Sequence, residues 1–403
     1  MRSIAGPSLL AIGSAWAATR LLAPRDATAA VDPVDLREHF SESEIARGRR
    51  YGRGQMALGV AGAMLDLAAL VSVVRRPARR GLPGGTGDGV VSAAAAAASL
   101  SIALSLPGMP LAALARRRSI RVGLSTQSWR GWAIDLTKAH AIEAAFAAAG
   151  GAGVTALARR WPRGWWLPGA AGLVMASAGL GALGPVLLDP LFNEFTPLDD
   201  GELRADVLGL AQAAGVRVGE VYSVDASRRT TAANAYVTGL GPTKRVVLFD
   251  TLLSRYSRDQ VRVVVAHELA HVRHRDLQRI VVFAALTAPA AMFAVQRLSW
   301  ELSAERASAG ALPALALAGV IVAAPVGMIA NRLSRAEERR ADAFALSLSG
   351  APEAVVALER DLAIDNVADL DPPALVTALL ATHPPTAERI GMALAYRRSQ
   401  DRA

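Results

Sequence analysis

Apolar residues in this chain are gathered into long blocks. Seven of them approach or reach the roughly 20 residues that cross a bilayer as a helix: residues 4–22, 56–74, 89–106, 139–158, 167–188, 280–295 and 311–330. The third and fourth are rich in alanine, and the sixth is short. Asp66 and Glu143 fall inside blocks. Acids at that depth face protein or water because exposure to lipid is costly, which suits either a hydrated interior chamber or hydrogen bonds between packed helices. Between the fifth and sixth blocks the pattern shortens. Residues 200–214 have helical spacing and stop at Gly215. Residues 218–224, 234–240 and 245–249 read as strands, with turn chemistry at Gly241, Pro242, Thr243 and Lys244. Residues 81–87 read as a flexible glycine-rich loop with no phosphate site. Residues 261–274 read as one helix.

Composition agrees with a membrane class. The chain has 403 residues, 52% of them hydrophobic, and its mean hydropathy is positive, too apolar for a typical soluble protein of this length. The net charge of +9 does not point to nucleic acid, because the arginines sit in loops flanking the blocks and are not interleaved with aromatics. Lys138 and Lys244 are the only lysines. Much alanine, glycine and arginine with little lysine suggests a GC-rich genome, hence a bacterium. With no cysteine, disulfides and thiol chemistry are excluded.

The chemistry enters at His267-Glu268-Leu269-Ala270-His271. Histidines at i and i+4 lie on one helical face, one turn apart, and neutral imidazoles there can chelate zinc. A carboxylate directly after the first histidine can act as general base on a zinc-activated water. A hydrolytic site needs a third ligand, and Glu338 and Asp342 offer one. Glu338 would complete the set, while Asp342, one turn on, would fix a histidine tautomer. Glu337 is the rival ligand. Two apolar blocks separate His274 from Glu338, so the chain returns to the side it left and the ligands can meet. On that side residues 20–53 hold seven arginines, residues 116–130 five, and the ends of the last three blocks five more, against nine opposite. The positive-inside rule puts the site in the cytoplasm.

The motifs together resemble the integral-membrane CAAX prenyl proteases (type 1), zinc enzymes of the gluzincin group. The pattern S-R-x-x-E-x-x-A-D appears as Ser334, Arg335, Glu338, Ala341 and Asp342. Asn234-Ala235-Tyr236, the run from Lys244 to Leu253, and His383-Pro384-Pro385-Thr386-Ala387-Glu388-Arg389 also match. Residues 40–51 and 123–128 fit more loosely. The resemblance implies one zinc per chain on His267, His271 and Glu338, with Glu268 as general base. It implies Asp342 behind a ligand histidine, Asn234 and Ala235 holding substrate backbone, and His383 supporting the oxyanion. It also implies seven crossings, and a retained first block, although Ala15-Trp16-Ala17 offers a signal-peptide cleavage context.

The expected fold is therefore mainly α: a polytopic membrane protein of about seven transmembrane helices with a gluzincin-type zinc protease domain carrying a small β-sheet. Residues 1–189 would hold helices 1–5, 190–276 the β-hairpin and HExxH helix, 277–331 helices 6–7, and 332–403 the third ligand. The expected activity is zinc metalloendopeptidase in a bacterial cytoplasmic membrane. Its partners would be membrane lipid and a peptide or protein substrate, lipidated or membrane-associated. Bacteria are not expected to make CAAX-prenylated proteins, so a quality-control or peptide-processing protease without prenyl specificity is the alternative. A non-catalytic zinc-binding sensor or scaffold is the other, and Glu268 argues against it, since a structural site needs no general base.

Overall fold

The computed structural model describes residues 2–25, 29–75, 89–239 and 244–402. The expected loop at 81–87 and the turn at 241–243 lie outside the described residues. Six helices come first: α1 (Arg2–Leu22), α2 (Glu42–Val74), α3 (Val90–Ser105), α4 (Met109–Arg121), α5 (Trp129–Arg160) and α6 (Trp166–Leu187). A capping box at Ser41 and Glu44 starts α2 well before its apolar block, so its first half is polar. α3 and α4 are bent by 51° at the short break between them.

A mixed strand and helix segment follows as β1 (Phe195–Pro197), α7 (Glu202–Ala213), β2 (Glu220–Val224), β3 (Ala235–Thr238), β4 (Arg245–Phe249), α8 (Asp250–Arg255) and α9 (Arg258–Arg273). The chain then runs through α10 (Asp276–Leu302) and α11 (Leu312–Ser349) and ends in α12 (Pro352–Asp365), α13 (Ala374–Leu380) and α14 (Thr386–Gln400). α11 is continuous across residue 331, so the last apolar block and the Glu338 segment are one helix. Between α9 and α10 the chain turns at Arg275, which is left-handed (φ 59).

Among the described residues five helices are long and apolar enough to cross a membrane: α2, α5, α6, α10 and the helix that includes α11. The bent pair α3 and α4 makes a sixth if counted as one span. α1 falls outside that set but lies along α10 and α11. Its Ala11 packs with Ala294, Leu298 and Val322, and its Ala15 and Ala18 with Phe283 and Leu333. Small residues permit this close approach, as also where Gly151 of α5 faces Ala97 of α3.

The sheet has the order β1-β2-β4-β3. β2 and β4 are parallel, and the outer pairs are antiparallel. Among the described residues β3 is thus an edge, paired with β4 on one side only. β1 was not expected; three residues ending in proline give no alternation to read. Behind the sheet, Val221, Val246 and Leu248 share a core with Val207 and Leu210 of α7 and with Val261, Val265 and Leu269 of α9. The segment before α2 joins this side: Asp32 N–H donates to Gly391 O at 3.1 Å, and Phe40 and Ile45 pack on Leu370 and Ile390. Thr126 N–H, after α4, donates to Arg229 O. At the opposite end Trp166 stands edge-on to Phe293 of α10, centroids 5.5 Å apart.

Candidate metal centre and active site

α9 is set by a capping box, Ser257 with Gln260, and by Val261, Val265 and Leu269 facing the core. That rotation carries His267 and His271 to the face opposite α11. Donor atoms of His267, His271 and Glu338 lie within 4.8 Å of one another. His267 Nε2 and His271 Nε2 are 3.2 Å apart. Glu338 Oε2 is 3.2 Å from His267 Nε2, and Oε1 is 3.6 Å from His271 Nε2.

The outer nitrogens face carboxylates. His267 Nδ1 is 2.9 Å from Asp342 Oδ1, and His271 Nδ1 is 2.9 Å from Asp276 Oδ2. Asp276 thereby holds the His271 ring with Nδ1 as donor, Asp342 lies against the outer side of the His267 ring, and the two Nε2 atoms converge. Two nitrogens on a tetrahedral zinc stand about 3.3 Å apart, so the donor set fits that ion. Burial alone would favour neutral His267, yet Asp342 and Glu338 reverse this and raise its pKa to about 10, since both carboxylates stabilise positive charge beside the ring. Arg389 clamps Asp342 through Nε at 2.9 Å and Nη2 at 2.6 Å, and its Nη1 reaches Glu359 Oε1 at 2.7 Å. Burial lifts Glu359 to about 7, against the pull of Arg389. Arg340 and Arg279 both reach Oδ1 of Asp276.

Glu337 is buried on another face of α11, 3.7 Å from Arg279 Nη1, and is not among the grouped donors. Glu268 is half-buried and borders a cavity of about 130 Å³ with His267, Asn234, His383 and Arg389. Burial raises its pKa, with His267 and His271 opposing. Apolar walls come from Leu252, Val263, Val264, Val355, Leu358 and Leu362. His383 is exposed, with Nε2 3.5 Å from Glu338 Oε1. Asn234 is exposed just before β3, and its Oδ1 accepts from Ala235 N–H at 2.9 Å. The Ala235 side chain is buried in the sheet, leaving only its main chain to offer. Of the residues read from the sequence, Asn234, His267, Glu268, Asp342 and His383 line this cavity, and His271 and Glu338 stand beside it with His267.

Asp276, Arg389 and Glu359 were not singled out from the sequence. Arg389 stood inside the His383 motif, and Asp276 had only its place as an acid opening the helix after His271. Elsewhere, Glu143 pairs with His140 at 3.0 Å, and His274 packs edge-on against Phe344.

Converging imidazoles and a carboxylate beside Glu268, on a bundle of apolar helices, define a membrane metallopeptidase. The model of peptidase family M48 matches residues 197–397, and the chain belongs to that family. It is 29% identical over 370 residues to an uncharacterised metalloprotease of Bacillus subtilis, YhfN, covering 89% of this chain and 87% of that protein. It is 34% identical over 217 residues to a CAAX prenyl protease 1 homolog of Arabidopsis thaliana, about half of each chain (51% and 50%). The crystal structure of S. mikatae Ste24p shares the fold, with a TM-score of 0.78 over 96% of this chain and 98% of that one at 22% identity.

Proposed function

We propose that this integral membrane metallopeptidase is a zinc endopeptidase whose ion is held by His267, His271 and Glu338. The observation that carries the proposal is the convergence of their donor atoms at tetrahedral spacing. Zinc supplies a Lewis acid that polarises a peptide carbonyl and makes water acidic near neutral pH. Glu268 takes the proton of the attacking water and passes it to the leaving amine, a role its raised pKa suits. Asp342 and Asp276 hold the two rings in the ligating tautomer. His383 donates to the oxyanion, and a peptide lies extended along the free edge of β3, with Asn234 at its start.

The cavity beside Glu268 limits the side chain that can stand next to the scissile bond. An apolar cavity of ~150 Å³ takes a benzene-sized group, so about 130 Å³ accepts one aliphatic side chain next to the scissile bond. A farnesyl chain is far too long for it and would lie elsewhere. The cavity therefore leaves open both readings, a prenylated substrate and an unprenylated membrane peptide, and the test below separates them. The site is read as cytoplasmic because the arginine-rich first half of α2 lies on the catalytic side, with Arg49 on Asp371 and Arg53 on Asp369, and arginine-rich α4 ends beside it, where Thr126 N–H donates to Arg229 O.

The test is cleavage of quenched fluorescent peptides, each with and without a farnesyl cysteine, by protein purified in detergent. Wild type is expected to bind one zinc and to lose activity with a chelator. Glu268→Gln should keep the zinc and lose on the order of 10²–10⁴-fold in turnover. A fully active Gln variant would sink the mechanism, and a strict farnesyl requirement would remove the reading without prenyl preference.

A further inference from the structure

Three side chains on the Glu338 face of α11 hold the segment that leads to His383. Asn331 Nδ2 donates to Leu379 O at 2.8 Å. Ser334 Oγ donates to Thr382 O at 3.1 Å. Arg335 donates through Nη2 to Ala378 O at 2.8 Å and through Nη1 to Ala381 O. Asn331, Ser334, Arg335 and Glu338 are spaced by three, one and three residues, so they share one helical face. The carbonyls they cap are those of the last turn of α13 and the two residues after it.

Such carbonyls have no partner within their own helix, and a cation there also meets the negative end of the helix dipole. α13 has seven residues and buries none of them, with Leu375, Leu379 and Leu380 exposed. A helix this short is unstable by itself. Its place is set from outside, and Arg335, which is buried, makes two of the four bonds. Beyond His383 the chain is tied to α11 again, by Arg339 to Glu388 and by Asp342 to Arg389.

We infer that Arg335, with Asn331 and Ser334, is a positioning residue that fixes where His383 stands relative to Glu338. The inference rests on the oxyanion role proposed for His383. One rigid helix then carries both a metal ligand and the clamp on the oxyanion donor, so their separation does not depend on a mobile loop. Side-chain donors to main-chain carbonyls suit this, because they fix the path of the strap whatever its sequence.

The experiment is a double-mutant cycle with Arg335→Ala and His383→Ala, reading kcat, KM and zinc content of the purified protein. Arg335→Ala is expected to lower kcat by roughly 10- to 100-fold, less than the roughly 10²–10³-fold of losing an oxyanion donor outright because His383 is displaced and not removed, with KM and zinc unchanged. In the His383→Ala background the same change should have almost no further effect. Arg335→Lys, which keeps donors but not the planar fork that reaches two separate carbonyls, should recover part of the loss. An equal loss with and without His383, or loss of zinc, would overturn the inference while leaving the role of His383 intact. A fully active His383→Ala protein would overturn that role, and the inference with it. Should Arg335→Ala fail to fold, Asn331→Ala and Ser334→Ala each remove one bond, and the cycle is run on them with the same criteria.

Discussion

At the scale of the residue, what matters is which way neighbouring acids on α11 point. Glu337 and Glu338 differ by one position, hence by about 100° around a helix. That rotation sends Glu338 to the two Nε2 atoms and Glu337 to Arg279. Glu338→Ala is therefore expected to lose zinc under dialysis against buffered low zinc, whereas Glu337→Ala retains it. Metal analysis per chain distinguishes them, and equal loss in both would leave the third ligand unassigned. The pairing of Glu338 with Asp342 was legible in the sequence because both obey one helical period. Asp276 was not, because its contact with His271 depends on the left-handed turn at Arg275.

At the scale of the element, α2 shows how a membrane helix is locked to the catalytic part. Gly48 abuts the turn after α12 so closely that an added Cβ would lie 2.0 Å from Ala368 O. Around it Arg53 pairs with Asp369 and Arg49 with Asp371, each at 3.1 Å. These pairs are partly exposed and contribute little by themselves; the close backbone approach is what fixes the angle of the helix. Gly48→Ala is expected to destabilise the fold by about 1–3 kcal/mol, as overpacking does, seen as a lower Tm in detergent. An unchanged Tm would show that α2 is free to shift. Strands were read near their true bounds where a run rich in β-branched and aromatic residues spans five positions, as in β2 and β4, and β1 was missed because it has three.

At the scale of the whole molecule, alternate connections lie at opposite ends of the bundle. The segments before α2 and after α4 touch the catalytic part, and the α5–α6 connection lies by the far end of α10. With no native cysteine, single substitutions report sidedness cleanly. Gly164→Cys, at a glycine with open space around it, is expected to react with an impermeant maleimide added outside intact cells, while Ser399→Cys on the catalytic side is protected until the cells are opened. The reverse pattern would place the site outside. The sequence by itself determined the apolar blocks, the histidine pair, the Glu338–Asp342 spacing and the parity that lets them meet, because each is a local period or a count of crossings. Only the tertiary structure decided that Asp276 backs His271, that Arg389 holds Asp342, that Arg335 grips the strap of His383 and how large the cavity beside Glu268 is. Those contacts join residues on different elements, and their geometry follows from how the helices pack, which no local pattern encodes.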